Sequence, residues 1–275
     1  MHRIIKFLKS TCTISFGFAT FIFTFATDSF FTHGFISVDY STETIVACNK
    51  LLFLVVLAII IGIFRYVYIR WIKKDHTING NGYKIVVEYG DIFKKDSCKK
   101  VISFDECFTT RVGSAPADIK PNSICAQFLS KFSHVDFDLV VENSDLKPSR
   151  KHSAFNNSKC YDSGSIIPFN DYLLLAFAKL DKDGLGRMTR DEYLQCLELM
   201  WKEISKHYNG KSVALPILGS GITRFKDETL THQQLLDMII ASYKLSADKI
   251  KFPAELHIVC RKEDSFSFSK IGEYI

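Results

Sequence analysis

Residues 172–180 read Tyr-Leu-Leu-Leu-Ala-Phe-Ala-Lys-Leu. A continuous apolar run of this kind suits a central strand buried on both faces. Further β-type runs lie on either side of it: 84–89 (KIVVEY), 100–104 (KVISF), 213–218 (VALPIL) and 255–260 (ELHIVC). Helical patterns alternate with them. Thr189-Arg190-Asp191-Glu192 has the spacing of a capping box, with Thr189 at the N-cap and Glu192 three residues on. The helix it opens should place Leu194, Leu197, Leu199, Met200 and Ile204 inward and end at Asn209-Gly210. A second helix is expected over 230–244 and a shorter one over 122–132. Strands alternating with helices predict a three-layer α/β/α domain with a mixed sheet.

The chain has 275 residues, 47% of them hydrophobic and 24% charged, a globular composition. The apolar content is concentrated at the N-terminus. Residues 11–25 (TCTISFGFATFIFTF) and 45–64 (IVACNKLLFLVVLAIIIGIF) are apolar runs, and spanning a bilayer takes about 20 residues. The expected layout is two transmembrane helices, about 11–32 and 46–69, within region 1–74, then a polar linker at 75–82 and the α/β domain at 83–275. The first run could be a signal peptide, but the chain continues Asp28-Ser29-Phe30-Phe31 with no small-residue cleavage site, so a retained helix is expected. Arg3, Lys6 and Lys9 precede the first helix, and Arg65, Arg70, Lys73 and Lys74 follow the second. The loop between them carries Asp28, Asp39 and Glu43 against Lys50. The positive-inside rule then puts both termini in the cytoplasm of a multi-pass inner-membrane protein. Neither span core holds an acidic residue or a histidine, which argues against a transport site and for an anchor, or for helices that assemble with copies of themselves.

A net charge of +5, without one long basic run interleaved with aromatics, argues against nucleic-acid binding. The eight cysteines show no C-x-x-C pair, so reduced buried thiols are expected and no structural zinc. The histidines show no metal spacing, and there is neither a G-x-S-x-G elbow nor a lysine-bearing phosphate loop. Residues 181–192 match several positions of a calcium loop. Leu185, however, replaces an oxygen ligand, a strand precedes the segment, and the capping box already accounts for Glu192.

Two turns carry the chemistry. Pro216-Ile217-Leu218-Gly219-Ser220-Gly221-Ile222 follows a strand and precedes a helix, and its glycines let backbone N–H groups approach a phosphate. A plain tight turn reads the same way. Gly90-Asp91-Ile92 follows the first strand of the domain, where an aspartate can accept a hydrogen bond from an exocyclic amine or simply cap the next turn. In α/β sheets ligands bind at the carboxyl ends of strands, where both turns fall.

In this order the two turns resemble the macro domain, a family that binds ADP-ribose and related nucleotides. Residues 101–110 (VISFDECFTT), Gly164-Ser165 and 173–177, together with two preceding transmembrane helices, resemble the macro-domain branch of the Thoeris anti-phage defence effectors. The resemblance implies a binding protein rather than an enzyme, with no cofactor. It implies as ligand an ADP-ribose derivative, histidine-ADP-ribose, made from NAD by a TIR-domain partner. It also implies homo-oligomerisation on activation, contact with membrane lipid, membrane disruption and abortive infection. Carried over by motif, the ligand contacts are Asp91 and Ile92 for the base and Pro216, Leu218, Gly219, Ser220, Gly221 and Ile222 for the diphosphate, with Thr109, Thr110 and Arg111 from a remodelled first loop. Macro-domain hydrolases carry an Asn-x-x-Asn segment and a triple-glycine loop where this chain reads Phe104-Asp-Glu-Cys-Phe-Thr-Thr-Arg-Val-Gly113. That departure favours binding over hydrolysis, and a membrane-tethered ADP-ribosyl hydrolase is the alternative.

Overall fold

The structure, a computed structural model, describes residues 2–32, 41–68, 75–221, 223–225, 229–261 and 267–271. The chain divides between Lys74 and Asp75 into two compact units.

The first unit holds α1 (His2–Phe25), α2 (Asp28–Thr32) and α3 (Thr42–Val67). Two stretches, Phe7–Phe25 and Thr42–Val67, are long and apolar enough to cross a membrane. The first helix stops at Phe25 instead of running to residue 32. The Thr27 and Ser29 hydroxyls bond each other (2.8 Å) and Asp28 opens a separate short helix, the local competition that makes such residues helix boundaries. Thr11, Ser15 and Ala19, four residues apart on α1, are buried against α3. Small side chains let two helices approach closely, and a Cβ placed on Gly62 would lie 3.8 Å from the Thr11 methyl. From α3, the Asn49 amide donates to the Phe31 carbonyl of α2 (2.8 Å) and the Arg65 guanidinium to the Ser10 hydroxyl of α1 (2.9 Å). The outer faces show Phe16, Phe18, Phe21, Leu51, Ile59 and Ile63, which suits a hydrocarbon surround. Arg70, Lys73, Lys74 and Asp39, on which part of the orientation reading rests, lie outside the described residues.

In the second unit the elements run β1 (Asp75–Asn79), β2 (Lys84–Tyr89), β3 (Cys98–Asp105), α4 (Ile124–Lys131), α5 (Phe137–Glu142), β4 (Ile166–Phe169), β5 (Tyr172–Leu180), β6 (Gly186–Met188), α6 (Arg190–His207), β7 (Ser212–Pro216), β8 (Arg224–Phe225), α7 (His232–Leu245) and β9 (Leu256–Cys260). The sheet order is β1-β2-β9-β7-β3-β5-β6-β8, with β4 also paired to β5. The inner pairs β2–β9, β9–β7, β7–β3 and β3–β5 are parallel, whereas β1, β4 and β6 join antiparallel, so the sheet is mixed.

Alternation along β5 explains the layers. Leu173, Leu175 and Phe177 face a core shared with α6 and α7, while Tyr172, Leu174 and Ala176 face a second core under α4 and α5. Burial on both faces is what the unbroken apolar run required. Across the first core, the Trp201 indole of α6 meets the Tyr243 ring of α7 edge-on at 4.9 Å and donates to the Ser242 hydroxyl (3.0 Å). The Thr189 capping box is formed in both directions. Leu194, expected inside α6, is 40% exposed; Tyr193, Cys196 and Trp201 fill that face together with Leu197, Met200 and Ile204.

Residues 75–79, read as part of a linker, form strand β1, paired from Asp75↔Glu88 to Asn79↔Lys84. Their polar alternation marks an edge strand half in water. Strand β7 ends at Pro216, so Ile217 and Leu218 belong to the loop that follows.

Candidate functional site

Strand β2 runs out at Tyr89, and the Gly90 N–H reaches the Cys260 carbonyl of β9 (3.1 Å), which fixes where the chain turns. Asp91 then caps a short 3-10 turn, Ile92–Lys94, its carboxylate accepting the Phe93 N–H at 2.9 Å. Ile92 is buried with Cys98, Ala214 and Val259, which anchors the turn to the sheet. The capping role foreseen for Asp91 is therefore present, and the residue also lines a cavity.

After β7 the chain passes through Ile217-Leu218-Gly219-Ser220-Gly221. Gly219 has φ +81°, a left-handed conformation that disfavours any side chain, and a Cβ there would stand 3.3 Å from the Phe225 ring. Around Gly221 a Cβ would meet nothing within 4 Å, because the backbone there borders open space. Three bonds hold the loop: the buried Tyr193 hydroxyl donates to the Leu218 carbonyl (3.0 Å), the Ser220 hydroxyl to the Ile217 carbonyl (2.6 Å), and His232 Nε2 to the Ser220 carbonyl (3.0 Å).

These two turns wall one cavity of about 740 Å³, within the range of about 300–1,000 Å³ usual for small-molecule sites. The carboxyl ends of β3, β5 and β9, the 116–120 loop and the start of α4 complete it. Of the residues named from sequence, Asp91, Ile92, Pro216, Leu218, Gly219, Ser220 and Gly221 all line it, and Ile222 lies outside the described residues. Thr109, Thr110 and Arg111 are not in its wall. The Asp105 carboxylate accepts the Cys107 and Thr109 N–H groups (2.7 and 3.2 Å), and Phe108, at φ +54°, turns its ring inward onto Phe104 and Tyr161. The chain is thereby led away from the cavity, and Arg111 pairs with Asp118 (2.5 Å). Asp105, the 116–120 loop, His232 and Arg261 line the cavity without having been picked out beforehand. Asp105, the residue directly after the strand predicted at 100–104, carries a signal that the sequence offers.

The cavity's acid is unusual. Burial pushes the Asp105 carboxyl above its ordinary range, against the lowering effect of its bonds from Thr109 and Cys107. Its neighbour Glu106 is buried, accepts the Leu180 N–H (3.2 Å) and is also pushed up by burial. Burial pushes the Cys107 thiol up to about 12 and the Cys125 thiol well above its ordinary value, which disfavours the thiolate at both. Lys120 and Arg261 supply positive charge at the rim, Lys120 bonded to the Ser114 and Ala115 carbonyls and Arg261 to that of Asn122. Among the described residues no cluster of histidine, cysteine and carboxylate could hold a metal ion. In the calcium-like segment, Asp181 accepts the Asp183 and Leu185 N–H groups and pairs with Arg187, while Glu192 is held by Thr189 and Lys179. Asp181 is thus engaged in the turn between β5 and β6, and Glu192 in the cap of α6.

A three-layer domain with this mixed sheet, and a cleft walled by the Gly-Asp-Ile turn and the glycine loop, is a macro domain. Residues 85–261 match the family model described as Thoeris protein ThsA, Macro domain. The Thoeris protein ThsA of Bacillus amyloliquefaciens (strain Y2) is 30% identical over 235 residues, covering 82% of this chain and 78% of that protein. The chain belongs to the ThsA macro-domain family. Among solved structures, an Oceanobacillus iheyensis macrodomain with ADP superposes with a TM-score of 0.41 at 10% identity, over 73% of this chain and 94% of that one. The same organism's macrodomain with MES bound gives the same values.

Proposed function

We propose that this chain is an anti-phage defence effector. Its macro domain binds an ADP-ribose-derived signal, histidine-ADP-ribose, made from NAD by a TIR-domain partner. Its helices, held in the inner membrane with both termini in the cytoplasm, then assemble and disrupt that membrane, leading to abortive infection. The observation that carries the reading is the convergence of Gly90–Ile92 and Pro216–Gly221 on one cavity at the carboxyl ends of parallel strands. Asp91 offers an acceptor for an exocyclic amine. The backbone of Gly219–Gly221, open to the cavity, suits the close approach of a diphosphate. Family membership and the two apolar helices support the same reading.

Binding without turnover is the reading for the cleft. Asp105, which lines the cleft, has one oxygen committed to the Cys107 and Thr109 N–H groups and so braces the end of β3. Ligand binding can favour assembly only through a higher affinity for the assembled state. The test is to incubate the detergent-solubilised chain with ADP-ribose and with histidine-ADP-ribose, following heat of binding and product formation together. Saturable binding without turnover is expected, with histidine-ADP-ribose the tighter ligand. Turnover would establish the hydrolase instead. Gly219→Glu should abolish binding and leave membrane insertion intact; retained affinity would remove the glycine loop from the site.

A further inference from the structure

Residues 149–160 form a hairpin that the cleft does not use. The Ser149 N–H bonds the Cys160 carbonyl (2.8 Å), the Ser153 N–H bonds the Ser158 carbonyl (3.0 Å), and His152 pairs with Lys159 as an antiparallel bridge. The His152 ring bonds the Asn157 carbonyl (2.9 Å), and Asn157 makes the turn at φ +55°. The hairpin backbone is therefore internally braced, and it carries exposed charges.

Those charges are of one sign. Lys147, Arg150, Lys151 and Lys159 are all exposed, and among the described residues none lies within 4 Å of a carboxylate. Asp145 and Asp162 bracket the segment without pairing to it. Phe155, on the same hairpin, is 38% exposed. Four exposed cations on and beside one hairpin, none in an ion pair among the described residues, match a polyanionic surface.

Position selects which surface. Phe155 and the cleft-wall residue Ala117 meet over Gly184, where an added Cβ would come within 2.9 and 2.8 Å of them, so the hairpin leans on the rim of the cleft. The cleft occupies the carboxyl ends of the strands. The domain's chain also begins at that end: Asp75, seven residues after Tyr68, pairs with Glu88 at the end of β2. Rim, hairpin and the start of β1 thus share one end of the sheet, and in the sequence Asp75 follows the apolar helix Thr42–Val67 by eight residues.

We infer that the 147–159 hairpin is a docking surface for the phosphodiester headgroups of anionic phospholipids. The inference rests on the membrane placement proposed above and not on the identity of the cleft ligand. Neutralising each basic residue should weaken partition onto an anionic surface roughly fivefold.

The test uses the full chain in nanodiscs of phosphatidylcholine, with or without phosphatidylglycerol, read by hydrogen–deuterium exchange. Exchange across 147–159 should slow in the anionic discs, with the protection lost at high salt. The quadruple variant K147Q/R150Q/K151Q/K159Q should lose it while exchange in α6 and β5 stays unchanged, which shows that the variant is folded. Equal exchange in the two disc compositions would overturn the inference. So would protection produced in phosphatidylcholine discs by ADP-ribose or inorganic phosphate, because the array would then serve a soluble anion. Failure of the chain to enter discs at all would strike the membrane placement instead, a distinguishable result.

Discussion

Tyr193→Phe removes one oxygen atom from a position behind the cleft wall and should loosen the cleft. The phenol is fully buried, and burial pushes it well above its ordinary value of 10.0, so it stays a donor at every physiological pH. It donates to the Leu218 carbonyl at 3.0 Å, the bond that ties the glycine loop to α6. Phenylalanine keeps the edge-on contacts with Phe225 (5.6 Å) and Phe177 (6.0 Å), so packing is little changed. What is lost is the hydrogen bond, together with the partner of a buried carbonyl, for which about 2 kcal/mol is a fair figure. In a domain of this size that is roughly 4–8 °C of melting temperature. Part of the loss should also appear in binding, as the loop must be re-ordered by the ligand: about a three- to tenfold fall in ADP-ribose affinity. Differential scanning fluorimetry and titration calorimetry on the solubilised chain measure both. A variant that melts within about 1 °C of the parent and binds ADP-ribose equally well would refute the argument that Tyr193 positions the loop.

The Glu88 carboxylate on the β2–β9 rung should govern acid stability. Burial raises it, but its bonds to Lys95 (2.6 Å) and His257 (2.7 Å) outweigh that and hold it below its ordinary 4.5. A carboxyl whose folded value is depressed contributes stability above its unfolded value and loses it as pH falls through the folded one. The parent should therefore lose about 1 kcal/mol more than Glu88→Gln between about pH 5 and pH 3 in urea titrations, and parallel curves would count against the pairing. Thr189→Ala, which undoes the capping box at the start of α6, should cost about 1 kcal/mol by the same titration at neutral pH, and a loss under about 0.3 kcal/mol would show that the cap is idle.

Much of this fold could be read from residue order because its strands are buried on both faces and its main helix carries a complete cap. The run at 172–180 and the box at 189–192 each encode their structure within a few residues. The two cleft turns were legible for the same reason: Gly219 needs its left-handed backbone and Asp91 caps its own turn, both local requirements. The failures are non-local. Residues 75–79 look like linker because an edge strand takes its stability from pairing, and the partner Lys84–Tyr89 lies across a turn. Thr109–Arg111 were assigned to the site on motif order alone, and the inward turn of Phe108 that removes them depends on contacts with Tyr161, more than fifty residues away. The 116–120 wall has no periodicity, and its shape comes from the Arg111–Asp118 pair, the Lys120 bonds to Ser114 and Ala115, and the backbone bonds of Ile119 with Arg111 and Gly113.

Strand β1 has a consequence for how far apart the two ends of the molecule's task are. Along the covalent chain, Asp75 and Asp91 are sixteen residues apart. Across the hydrogen-bonded ladder the route is one rung to Glu88 and then three residues. The cleft turn and the domain's entry point are therefore neighbours across the ladder, although they are distant along the chain. Inserting residues between Asn79 and Lys84 would lengthen the covalent route and leave the ladder route untouched. In network terms, the strand turns a distant pair of residues into near neighbours.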